Sequence, residues 1–118
     1  MKKMISIIVL LAASAAAQGP AYPYSVVLTW IAPTGNAPTG YNVYRAPYSA
    51  SACGTYAVLN STAITTTTYT DTTVTPGAQY CYEVTALQGT AESGPDVLAS
   101  NPVSLPPPPP TGLGATVK

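Results

Sequence analysis

The stretch Gln79–Leu87 alternates without a break, with Tyr80, Tyr82, Val84 and Ala86 on one side of an extended chain and Cys81, Glu83 and Thr85 on the other. Side chains of a strand project to opposite faces with a period of two, so this pattern describes a strand buried on one face and fits no helix. The same alternation runs through Ser25–Ile31, where Val26, Leu28 and Trp30 are interleaved with Val27, Thr29 and Ile31. Shorter strands are expected at Tyr41–Arg45, Thr55–Leu59, Thr66–Asp71 and Val97–Leu105, separated by segments rich in Pro, Gly, Asn and Ser. No segment carries apolar residues at helical spacing, and the chain reads as all-β. Pro102 has no amide hydrogen to donate, which places the last strand at a sheet edge.

The N-terminal residues follow a different logic. Met1, Lys2 and Lys3 precede an apolar run, Ile5–Leu11, and a series of small residues, Ala12–Ala17, the layout of a secretory signal peptide with cleavage expected after Ala17. The run is too short to span a bilayer and no second one follows, so the processed chain is expected to be secreted, periplasmic or at the cell surface, without membrane insertion. About 100 residues then remain, enough for one domain with a single core. They keep Arg45 and Lys118 against Asp71, Glu83, Glu92 and Asp96, a net charge of −2. A surface with one internal cation cannot supply the phosphate contacts that dominate nucleic-acid affinity, so no nucleic-acid partner is expected. Cys53 and Cys81 form an even pair in an exported chain and read as one disulfide, which closes a loop worth roughly 3–4 kcal/mol on a chain-entropy argument.

The segments Val26-Val27-Leu28-Thr29-Trp30, Gly40-Tyr41-Asn42-Val43-Tyr44-Arg45, Tyr69-Thr70-Asp71, Pro76-Gly77-Ala78-Gln79-Tyr80 and Ser100-Asn101-Pro102-Val103 follow one another in an order that resembles a fibronectin type III domain. The resemblance covers about residues 24–105. It implies an immunoglobulin-like antiparallel β-sandwich with Trp30, Tyr41, Val43, Tyr80, Tyr82 and Val84 in structural roles, and it makes a bridge between Cys53 and Cys81 geometrically reasonable. The family's first strand, strand A, finds too few residues between Gln18 and Tyr24, so it is expected to be absent or supplied by the C-terminal segment. The organisation expected is a signal peptide at 1–17, a domain at 18–105, a polyproline linker at 106–110 and a tail at 111–118. That tail resembles strand A displaced along the chain, with Leu113, Ala115 and Val117 as donor-strand residues, and it reads equally as a truncated second domain or a disordered end.

The chain has no histidine, which removes the usual general base and the commonest metal ligand. No phosphate loop, nucleophile motif or metal-ligand spacing is present, so neither an enzyme nor a cofactor is expected, and the carboxylates read as solvated charges. Nine tyrosines without a phenylalanine suit either a sheet face or a binding surface for protein or carbohydrate. Tyr44, Tyr48 and Tyr56, with Gln88 and Glu92 of the Gln88–Pro95 loop, are the candidate ligand-binding residues, and that loop is expected to meet Gly35–Gly40 at one pole. Asn60-Ser61-Thr62 matches a glycosylation sequon. The functions these features support are a secreted binding or spacer module, or a structural subunit that associates head-to-tail by lending its C-terminal strand.

Overall fold

A computed structural model describes residues 7–13, 24–35 and 37–118. The strands are β1 (Ile7–Ala13), β2 (Tyr24–Trp30), β3 (Gly40–Ser49), β4 (Ala52–Cys53), β5 (Ala57–Val58), β6 (Thr68–Asp71), β7 (Gln79–Gln88), β8 (Ala91–Glu92), β9 (Asp96–Val97) and β10 (Val103–Ser104). One sheet has the order β1-β2-β6; the other runs β10-β7-β3-β4, with β5 also paired to β3, and β8 and β9 to β7. Every pairing is antiparallel.

The inward positions of the two long alternating segments form the core. Tyr24, Val26, Leu28 and Trp30 of β2 pack against Tyr41 and Val43 of β3 and against Tyr82, Val84 and Ala86 of β7, with Leu105 closing one end. Trp30 meets Tyr41 edge-to-face at 5.2 Å, the geometry that ring quadrupoles favour. Tyr80 is only partly buried against this cluster; its hydroxyl accepts the backbone N–H of Thr75 at 3.0 Å. Gly40 opens β3 because a Cβ there would lie 2.8 Å from that of Ala63.

The position expected to stand empty is filled. Ile7–Ala13 lies antiparallel to β2 over its whole length, from Ile7 opposite Trp30 to Ala13 opposite Tyr24, so in the full chain strand A is neither absent nor supplied by the C-terminal segment. The physical reason is that β2 offers an unpaired backbone edge beside a core; the backbone of Ile7–Ala13 takes up that edge, and Ile7 packs against the core. The cleavage site expected after Ala17 lies outside the described residues.

The last strand is also broken where a continuous one was expected. β9 and β10 are two short pieces, both on β7, and Asn101 fills the gap with its side chain, accepting the N–H of Tyr82 at 3.0 Å and donating to its carbonyl at 3.2 Å. A similar substitution occurs on β3, where Asn60 accepts the N–H of Val43 at 2.8 Å and donates to Thr62 O and Asn42 Oδ1, each at 2.9 Å. That amide nitrogen is committed to the fold, so the sequon match at 60–62 falls on a side chain that the sheet itself uses.

Candidate functional site

β3 and β7 pair from Gly40 opposite Leu87 to Pro47 opposite Tyr80. Their inward residues are core, so the alternate positions form the outer face of the larger sheet. Tyr44 stands opposite both Val58 of β5 and Glu83 of β7, and Glu83 stands opposite Val97 of β9. The result is a row, Val58–Tyr44–Glu83–Val97, crossing four strands at one level. Both valines are about half exposed, at 50% and 51%.

Glu92 borders this row. Its Oε2 accepts hydrogen bonds from the Thr85 hydroxyl at 2.5 Å, the Tyr44 hydroxyl at 2.6 Å and Asn42 Nδ2 at 3.4 Å. The hydroxyl donors of Thr85 and Tyr44 hold its carboxyl below the usual range. The same hydrogen bond pushes the Tyr44 phenol up. Burial, then the charge of Glu92, raises Glu83; burial, then the charge of Glu83, raises Tyr56. Two carboxylates and two phenols therefore share one polar, aromatic surface with apolar flanks.

Of the predicted ligand-binding residues, Tyr44 and Glu92 are in direct contact and Tyr56 feels Glu83. Tyr48 and Gln88 are not part of this group. Tyr48 lies beyond Pro47, opposite Cys53, while Gln88 lies at the other end of β7, opposite Ala91. The 37–40 segment and the β7–β8 turn do meet there, through Thr39 N–H to Leu87 O at 2.7 Å and Gly89 N–H to Thr39 Oγ1 at 3.1 Å. Between them is a groove of about 150 Å³ lined by Pro38, Ala86, Leu87, Gln88, Ala91, Glu92 and Ser93. Small-molecule pockets generally exceed roughly 300 Å³, so the groove is a rim of the face rather than a ligand cavity. Val58, Val97 and Glu83 were missed in the sequence; the visible signal was their place as outward residues on strands.

The charges are sorted by the fold. Asp71, read in the sequence as solvated, is 2% exposed. It accepts Tyr82 OH at 2.6 Å, Arg45 Nη1 at 2.9 Å, Thr73 Oγ1 at 2.7 Å and Thr73 N–H at 3.0 Å. Burial alone would raise its pKa; the donors of Thr73, Tyr82 and Arg45 outweigh that and lower it. Arg45 also lies over the Tyr80 ring, 4.6 Å from its centre. The internal cation is thus spent on the core, while Glu83, Glu92 and Asp96 lie on β7 or on strands paired with it. Cys53 and Cys81 are bonded, with Cα atoms 6.0 Å apart. Among the described residues no group of His, Cys, Asp and Glu could hold a metal ion, and no helix is long and apolar enough to cross a membrane.

No protein-family model and no curated protein matches the chain. Solved structures do. An Fn3-like protein from Clostridium thermocellum aligns over 75% of this chain and 81% of its own, with 34% identity and a TM-score of 0.52. The fn3 domain of human collagen alpha-1(XX) chain aligns over 86% of both, with 23% identity and a TM-score of 0.55. The twitchin kinase region from C. elegans aligns over 70% of this chain at 23% identity and a TM-score of 0.57, but the match spans only 14% of that protein, and the likeness is one of fold. The identity and coverage shared with the clostridial protein, on a sandwich of two antiparallel sheets closed by Trp30 and Tyr82, establish that the chain belongs to the fibronectin type III family.

Proposed function

We propose that the chain is a secreted, non-catalytic binding module that presents the outer face of its larger sheet to a protein or carbohydrate ligand. The observation that carries this reading is the row Val58–Tyr44–Glu83–Val97, where two half-exposed valines flank a partly exposed tyrosine and carboxylates that, among the described residues, form no ion pair. Singly exposed valines are ordinary, but two at one level, flanking a tyrosine held by Glu92, make a preordered contact surface. Of the two ligand classes, the charge favours a protein surface carrying Lys or Arg, because a cationic partner gains both attraction and orientation from Glu83 and Glu92.

The test is a binding screen of the processed chain against arrays of basic peptides and of glycans, repeated with Tyr44→Ala and Val97→Lys. The expected result is retention of basic peptides, weakened by salt and reduced at least about tenfold by either substitution, as for a centrally placed aromatic contact. Thr70→Ala, on the other sheet, leaves binding unchanged. Ligands captured equally well by all variants would defeat the assignment of this face; selective glycan capture lost in Tyr44→Ala would keep the face and change the ligand class.

A further inference from the structure

The first strand of the sandwich is made from residues of the expected leader. Among the described residues, β2 is paired on one side to β6 and on the other to β1. Removal of residues 1–17 takes β1 away and leaves the outer edge of Tyr24–Trp30 without its ladder. It also strips Ile7 from its packing against the core. An edge of this kind, seven residues long and backed by Val26, Leu28 and Trp30, is a template for another strand.

A segment suited to that edge is present. Among the described residues, 111–118 joins no strand, and Leu113 and Val117 are 100% and 97% exposed. Leu113, Ala115 and Val117 recur with period two, so on pairing they would project to one face, as the strand-A position requires.

Where the tail leaves the domain decides which molecule it can serve. Pro106 O accepts the N–H of Gly77 at 2.9 Å and Pro107 O accepts the Tyr24 hydroxyl at 3.1 Å. The chain is therefore pinned beside the start of β2, and the free spacer is Pro108–Pro110. A strand that follows the course of β1 must enter opposite Trp30, at the far end of β2. That is roughly 20 Å away along seven residues of strand, while three prolines reach only about 9 Å. A second copy meets no such restriction.

We propose that leader removal converts the β2 edge into an acceptor for residues 111–118 of a second copy of this chain, inserted antiparallel to β2. Each molecule then offers a donor at one place and an acceptor at another, a head-to-tail contact that need not close and so extends into chains of subunits. The inference goes beyond ligand binding at the opposite sheet and rests on the leader being removed.

Intact mass of the exported protein checks that premise by itself: a chain that retains residues 1–17 overturns the processing step. Sedimentation velocity then compares the chain starting at Gln18, its Leu113→Asp/Val117→Asp variant, and the full 118-residue chain. The expected result is concentration-dependent oligomers for the first alone, with hydrogen-exchange protection lost in the variant at those β2 amides that face away from β6. Both altered residues are exposed, so the fold itself is untouched. A monomer at all concentrations, or association unaffected by the double substitution, overturns the proposal. A monomer whose tail is protected assigns the edge to the same chain and equally overturns it.

Discussion

Asp71 is a carboxylate almost without water, and its four donors come from three directions: Thr73 beside it, Arg45 on β3 and Tyr82 on β7. It ends β6, so the cluster ties the smaller sheet to the larger one. Replacing it with Ala strands a cation and a buried phenol, and the expected loss is about 3–5 kcal/mol by chemical denaturation. Tyr82→Phe leaves the ring in place and removes one charge-assisted bond, for about 1.5–3 kcal/mol. Because the carboxyl is depressed in the fold, its contribution is complete above its ordinary value of 3.8 and is lost as pH falls through the lower folded value. Melting temperatures measured from pH 5 downward should therefore drop steeply for the native chain and more shallowly for Asp71→Asn. Tyr82 is pushed up, chiefly by burial and then by Asp71, so the phenol's share persists below 10.0 and fades above it. None of this was legible from the sequence, in which Arg45 and Asp71 are 26 residues apart and each looks like an ordinary surface charge. Asn60 is a similar case. The sequence showed only a sequon match there; its role as a ladder substitute predicts that Asn60→Ala costs about 1–3 kcal/mol and that exported protein carries no glycan at this position.

At the scale of elements, what could be read depended on how long a pattern persisted. β2 and β7 show four or more alternations each and were placed within a residue of where they lie. β3 is longer than expected because it continues past Arg45 into a hairpin with β4. That turn was invisible because it lacks the usual signal. Ala50 and Ser51 both have positive φ, 52° and 64°, where two-residue hairpins favour Asn-Gly. The pairing of Tyr48 with Cys53 and the disulfide from Cys53 to β7 hold the turn closed in spite of its residues. Ala50→Asn combined with Ser51→Gly should accordingly raise stability by about 1 kcal/mol, seen as a higher melting temperature with unchanged spectra. The final strand failed as a prediction for a different reason: Pro102 removes a donor, and Asn101 rather than the backbone completes the contact with Tyr82.

Over the whole molecule, the family resemblance carried the two-layer arrangement, while the cysteine pair followed from an even count in a chain read as exported. The occupant of the first-strand position did not follow from it, because an apolar run read as a leader is equally able to complete a sheet. The outer face was half legible: Tyr44, named as an exposed tyrosine, and Glu92, named by its loop, meet on it, while Tyr48 and Gln88, named on the same two grounds, lie at opposite ends of the sheet. The bridge between Cys53 and Cys81 also has a mechanical meaning. If the domain serves as a spacer under load, the loop it closes, with a sequence separation of 28 from Cys53 to Cys81 and containing β5 and β6, cannot be drawn out. At roughly 3.4 Å per residue, less the 6.0 Å already spanned, the extensible length is about 90 Å shorter oxidised than reduced. Single-molecule stretching with and without reductant should register that difference directly, so the tether's compliance is set by the redox state of its surroundings.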